Sequence, residues 1–167
     1  MKYESENFMD CFKPDMYFKR IEDITEKALK KRNIKGLILD IDNTLVPPHT
    51  PVADERAKRF VERMSKEFKI CIVSNNIYER AEKFANSFPI DFVCDGNKPS
   101  KKPFNLALSK LNLEPHEVAS IGDQIFTDVW GANRMEMLSI LVNPVCGKEG
   151  KFVKFKRLLE KLVFKRK

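Results

Sequence analysis

With 167 residues, 43% of them apolar and 33% charged, and a formal net charge of +7, the chain has room for one domain with one core and is neither disordered nor fibrous in composition. No apolar run approaches the roughly 20 residues that span a bilayer, and the opening "MKYESENFMD" lacks the apolar centre of a secretion signal, so a cytoplasmic protein is expected. Cys11, Cys71, Cys94 and Cys146 have no C-x-x-C spacing, which argues against a cysteine-held zinc and suits a reducing compartment.

In chain order, residues 1–34 read as a helical lead-in, with "KPDMYFKRIEDITEKALKKRN" predicting one or two short helices. Strands are predicted over 36–41, 69–74, 90–94, 118–122 and 138–142, and helices over 51–68, 77–87, 103–111 and 124–135. Pro51 suits a helix start. Apolar strands alternating with helices of this length form successive right-handed βαβ units. The expected fold is α/β: a Rossmann-like parallel sheet of about five strands with helices on both faces, in a single domain over 1–167. The last stretch, 148–167, holds nine Lys or Arg against Glu149 and Glu160, so the charge of the whole chain resides there and the remainder is neutral. Phe152, Phe155, Leu158, Leu159, Leu162 and Val163 fall on one helical stripe, so a basic amphipathic helix is expected.

Ligands of open α/β sheets bind beyond the carboxyl ends of the strands. The residues in that position are Asp40, Asp42 and Thr44 after the first strand, Ser74, Asn75 and Asn76 after the second, Lys98 after the third, and Asp123 and Asp128 after the fourth. Clustered Asp side chains without Cys or His suit a hard cation, with Mg²⁺ the natural choice. Ser74 and nearby backbone amides can donate to phosphoryl oxygens, and Lys98 brings a compact positive charge. An ionised Asp attacks phosphorus once the phosphate's charge is masked, and a second Asp two residues on can pass a proton to the leaving oxygen. Its like-charged neighbour raises that carboxyl's pKa and a metal lowers it, so the sequence leaves its titration open.

Four stretches, "DIDNT" at 40–44, "SNN" at 74–76, "KP" at 98–99 and "GDQIFTD" at 122–128, together resemble the ordered motifs of the haloacid dehalogenase (HAD) superfamily of phosphohydrolases. "FKPDMYFKRIEDIT", "LDIDNTLVP" and "GDQIFTDVWGANRM" look like its class IIIA, YqeG-type branch, which is similar to phosphatidylglycerophosphate phosphatases. The resemblance implies roles. Asp40 would be the nucleophile and a Mg²⁺ ligand; Asp42 the general acid/base, offering the metal its backbone carbonyl. Ser74 and Asn75 would bind phosphate, Lys98 would hold the phosphoryl group beside Asp40, and Asp123 would complete the metal site. Thr44 and Asp128 would support that set, and Lys101 or Lys102 are alternatives to Lys98. Pro48 is followed by His49, where relatives often carry an aromatic residue.

The segments 40–74 and 74–98 are too short to contain a lid domain. An open site admits a phosphate displayed on something large, and the expected activity is Mg²⁺-dependent phosphomonoester hydrolysis through an aspartyl-phosphate, with phosphatidylglycerophosphate favoured. Soluble sugar phosphates, nucleotides or nucleic-acid ends are the alternative substrates. The basic tail can cover the sheet, approach an anionic membrane peripherally, or touch nucleic acid. No nucleic-acid module is recognisable, so nucleic acid is not expected as a partner. A phosphoacceptor switch like a receiver domain, or a module binding nucleic acid through the tail, is the rival of another class, although receivers carry their acceptor Asp after the third strand rather than the first.

Overall fold

The computed structural model describes residues 8–146; the basic amphipathic helix expected over 148–167 lies outside them. Six strands, β1 (Met16–Phe18), β2 (Gly36–Leu39), β3 (Lys69–Val73), β4 (Asp91–Val93), β5 (Val118–Gly122) and β6 (Leu138–Val142), form one wholly parallel sheet in the order β1-β6-β5-β2-β3-β4. Between them run α1 (Glu26–Lys30), α2 (Glu55–Ser65), α3 (Tyr78–Ala85), α4 (Lys101–Leu111) and α5 (Trp130–Arg134).

Both faces of the sheet are covered, which is why β2 and β3 read as continuous apolar runs rather than alternating ones. Leu37, Leu39, Ile70 and Ile72 pack with Phe60, Met64 and Phe84 on one face. Ile38, Cys71 and Val73 pack with Phe104, Ala107 and Leu111 on the other. Each fully buried side chain of this size stabilises the fold by roughly 1.5–3 kcal/mol. Burial also pushes the Cys71 thiol up to about 12, so it packs as a small apolar residue.

Three elements differ from the sequence reading. The sixth strand, β1, falls where short helices are expected, with only α1 and 3₁₀ turns at Phe8–Phe12 and Ile21–Asp23 around it. Its three residues pair with β6 alone, and Asp15 fixes the join: its carboxylate accepts from the Ser139 backbone at 2.8 Å and the Ser139 hydroxyl at 2.9 Å. Helix α2 starts at Glu55 rather than Pro51, because Asp54 caps it by accepting from the Ala57 amide at 2.7 Å. The helix expected over 124–135 is a π-type turn, Ile125–Val129, followed by α5.

Chain order reverses at β2: β3 and β4 are added on one side of it, β5 and β6 on the other. A crevice therefore opens at the carboxyl end of β2, between the ends of β3 and β5. Asp40 to Ser74 contains one helix and one strand, as does Ser74 to Lys98, so no lid is inserted over the crevice.

Candidate active site

Asp40 follows β2 directly and is buried there. Its Oδ1 accepts from the Lys98 ammonium at 2.6 Å, and its Oδ2 from the Thr44 hydroxyl at 3.3 Å. The same ammonium donates to Asp128 Oδ1 at 2.6 Å. Asp128 reaches the cluster because the π-type turn brings it back over the end of β5, where its Oδ2 accepts from the Gln124 amide at 3.1 Å. Asp123 completes the group: one carboxylate oxygen from each of Asp40, Asp123 and Asp128 lies within 4.8 Å of the others. The segments that follow β2, β4 and β5 thus meet at one place.

The charges do not balance. Three carboxylates surround one ammonium, leaving a surplus equal to the charge of a divalent cation. Burial pushes Asp40 up to about 6, with Lys98 opposing and Asp128 reinforcing the rise. Burial likewise pushes Asp123 up to about 7, helped by the like charges of Asp128 and Asp40. Burial works to lower the Lys98 pKa, but the carboxylates of Asp128 and Asp40 outweigh it and hold the ammonium charged. Asp123 Oδ1 is buried with no hydrogen-bond partner among the described residues, an orphaned acceptor that native interiors rarely tolerate. An all-oxygen donor set, a twofold surplus charge and an unfilled acceptor fit a hard divalent ion such as Mg²⁺.

Asp42 stands apart from this cluster and nearer the surface. Its Oδ2 accepts from Arg80 Nη1 at 2.8 Å and from Asn76 Nδ2 at 2.8 Å, and its Oδ1 accepts from Arg80 Nη2. Burial would raise its pKa, but the Arg80 and Asn76 hydrogen bonds outweigh that and hold the carboxyl below the usual range. Asn76 also donates to the Ser74 hydroxyl at 2.8 Å, tying the acid to the buried serine after β3.

Asn75 is placed differently from the expectation that it faces phosphate. Its Oδ1 accepts from the Lys98 amide at 2.8 Å and its amide nitrogen reaches the Lys98 carbonyl at 3.4 Å, so its side chain braces the lysine's backbone. Lys101 and Lys102 lie exposed at the start of α4, whereas Lys98 is buried between carboxylates. Arg80 is the site residue that sequence reasoning missed, and Asn76, named there as a strand-end residue, was given no role of its own. An arginine on an amphipathic helix reads as a solvated face; the available signal was its position in the first turn after "SNN". A cavity of about 870 Å³ lies elsewhere, lined by Ile34, His116, Met137 and Leu138 at the amino ends of the strands, and holds none of these residues.

The family described as mitochondrial PGP phosphatase matches residues 7–146. The Bacillus subtilis (strain 168) protein named "Probable phosphatase YqeG" is 40% identical over 153 residues, covering 91% of this chain and 89% of that one. Phosphatidylglycerophosphate phosphatase 1, chloroplastic/mitochondrial, of Arabidopsis thaliana is 28% identical over 167 residues, and the match covers 92% of this chain and 47% of that longer protein. Among solved structures, a Listeria monocytogenes serotype 4b protein is similar in fold, with a TM-score of 0.54, 24% identity, and 77% and 99% of the two chains covered. An HAD phosphatase from Thermococcus onnurineus gives a TM-score of 0.52 at 14% identity, with 75% and 98% covered.

Proposed function

This chain belongs to the PGP phosphatase family and is a YqeG-like phosphatase of the HAD type, and we propose that it hydrolyses a phosphomonoester borne on a phospholipid, phosphatidylglycerophosphate, with Mg²⁺ as cofactor. The observation that carries the chemistry is the Lys98 ammonium held at 2.6 Å from both Asp40 and Asp128, beside the unpartnered Asp123 oxygen.

Asp40 is the nucleophile. Its carboxylate attacks phosphorus and forms an aspartyl-phosphate, while Asp42, released by Arg80 and Asn76 and protonated from solvent, delivers that proton to the departing alkoxide oxygen. In the second half Asp42 takes a proton from water, which attacks phosphorus and returns Asp40 and inorganic phosphate. Lys98 pairs with the transferring phosphoryl oxygens, and the Ser74 hydroxyl, oriented by Asn76, donates to another. Asp40 and Asp123, with Asp128 beside them and the Asp42 carbonyl as a further donor, would hold Mg²⁺, which supplies charge neutralisation at the phosphoryl group.

The lipid assignment is supported by the family and by the rim. Val52, Ile77 and Phe126 each follow a strand that carries a motif, and each is more than half exposed. Scattered exposed apolar residues are ordinary, but these three lie in the segments that leave motif-bearing strands at their carboxyl ends, Phe126 within the π-type turn. The chain also enters its basic segment at that rim: the Cys146 amide donates to Asn43 Oδ1 at 3.2 Å, next to Asp42. No helix among the described residues is long and apolar enough to cross a membrane, so contact with a bilayer would be peripheral, through the rim and the nine basic residues of 148–167.

Purified protein with Mg²⁺ should release phosphate from phosphatidylglycerophosphate in vesicles and, more slowly, from an aryl phosphate; Asp40→Asn should do neither. Turnover surviving in Asp40→Asn removes the nucleophile. Preference for a sugar phosphate or nucleotide defeats the lipid assignment and leaves the phosphatase intact.

A further inference from the structure

The site contains two cations at two depths. Lys98 is on the floor, its side chain 4% exposed and engaged by Asp40 and Asp128. Arg80 is at the mouth, its side chain 18% exposed, and it grips Asp42, whose side chain is 28% exposed. The transferring phosphoryl group needs the inner cation. The chemistry described above gives no such task to the outer one.

The Arg80 contact also conflicts with the role of its partner. Each oxygen of Asp42 accepts a hydrogen bond from the guanidinium, and Oδ2 takes a second from Asn76. A carboxyl group so occupied cannot turn an oxygen toward a leaving group until Arg80 releases it. A guanidinium that releases a carboxylate inside a partly buried site needs another anion to receive it, since an unpaired charge there is costly. Arg80 keeps further capacity in reserve: Nε is buried and has no hydrogen-bond partner among the described residues. Its planar fork matches a phosphate as well as a carboxylate.

We propose that Arg80 is a specificity-determining residue that exchanges Asp42 for a second anion on the leaving group, so that only a substrate carrying such an anion both fills Arg80 and frees Asp42. The position dictates the chemistry of that anion. In the reaction above a released Asp42 serves the departing oxygen, and Arg80 lies one hydrogen bond beyond Asp42, so the second charge belongs a few bonds from the scissile ester, on the side that leaves. A phosphodiester or a second phosphate joined through a short polyol fits. This inference rests on the phosphatase reading above and deepens it: Lys98 takes the phosphoryl group that is transferred and Arg80 the one that stays on the product. Asn76, bonded to Asp42, Ser74 and Arg80 at 2.7–2.8 Å, couples the two halves.

Two soluble probes test it without a membrane: propyl phosphate, with one anion, and propane-1,3-diyl bisphosphate, with a second anion three carbons from the scissile oxygen. The readout is the ratio of kcat/KM for the bisphosphate over the monophosphate, measured within each protein, so the fraction folded cancels. Wild type should favour the bisphosphate well beyond the statistical factor of about two set by its two equivalent esters. Arg80→Gln should lower that ratio at least tenfold, the loss expected for a charge-assisted bidentate contact, and Arg80→Lys should keep part of it. A wild-type ratio of about two or less overturns the proposal before any variant is made. So does an Arg80→Gln variant that loses both activities equally, because Arg80 would then only position Asp42. Hydrolysis of neither probe by wild type with Mg²⁺ overturns this inference; loss of vesicle-borne phosphatidylglycerophosphate hydrolysis as well would overturn the phosphatase reading beneath it.

Discussion

Gly122 lies directly beneath the carboxyl group of Asp128: a methyl group at position 122 would overlap the Asp128 carboxyl carbon and one of its oxygens. The last residue of β5 therefore lacks a side chain so that the π-type turn can fold back over it and present Asp128 to Lys98. Gly122→Ala should force that carboxylate away, costing about 1–3 kcal/mol of stability as overpacked sites do, and lowering phosphatase kcat at least tenfold. Chemical denaturation and turnover of an aryl phosphate check it; near-wild-type values for both would contradict the packing argument.

Lys98 should be indispensable in a way its neighbours are not. Replacing it with Met leaves Asp40 and Asp128 facing each other in a buried site without their cation. The expected penalty is about 3–5 kcal/mol near neutral pH, with loss of activity. Lys101→Gln and Lys102→Gln alter exposed side chains at the head of α4 and should shift stability by no more than about 0.5 kcal/mol. Equal effects at all three positions would refute the assignment.

The raised carboxyl groups make stability depend on both pH and Mg²⁺. In the metal-free folded protein Asp40 titrates near 6 and Asp123 near 7, against an ordinary value of 3.8. Between about pH 4 and about pH 7 the folded state then binds more protons than the unfolded one, so these groups' contribution to stability is complete below that window and falls as pH rises through it. Asp42, held low, acts in the opposite sense and loses its contribution only as pH falls through its own depressed value. Mg²⁺ must displace the protons on Asp40 and Asp123, so its stabilising effect should be small near about pH 5 and large near about pH 8. Thermal unfolding with EDTA and with excess Mg²⁺ at both pH values measures this; a Mg²⁺-induced Tm shift that shrinks with rising pH would contradict it.

The rim makes a separate prediction. Val52→Ser and Ile77→Ser together remove apolar surface from two loops at the crevice mouth while leaving every motif side chain in place. Turnover of vesicle-borne phosphatidylglycerophosphate should fall at least tenfold, corresponding to about 1.4 kcal/mol of lost interfacial attachment. Hydrolysis of a soluble aryl phosphate should fall by much less. Parallel losses on both substrates would show that the loops serve folding rather than attachment.

Much of this was legible in the sequence because it is written in local signals. β5 and β6 have the predicted bounds, since each is a largely buried, mostly apolar stretch of five residues set between turn residues. The α/β class, the covered sheet faces and the missing lid follow from strand spacing alone. What escaped depends mostly on distant partners, and in one case on a local cap. β1 is a strand only because β6 is there to pair with it, and "MYF" has no period of its own. Asp54 rather than Pro51 opens α2 because a side-chain cap decides the first turn and proline merely tolerates it. Among the site residues, spacing could locate Asp40, Asp42, Ser74, Lys98 and Asp123 at strand ends, but it could not tell that Asn75 turns back on Lys98, or that Arg80 reaches Asp42.

The strand order also sets a timetable for biosynthesis. β2, which ends at Asp40, borders β3 on one side and β5 on the other, and β1 borders β6. A nascent chain that has released only its first hundred residues can complete one flank of β2, leaving the other edge bare. Asp40 meets Asp123 only after 83 further residues have emerged, so the pocket cannot close before β5 has been made.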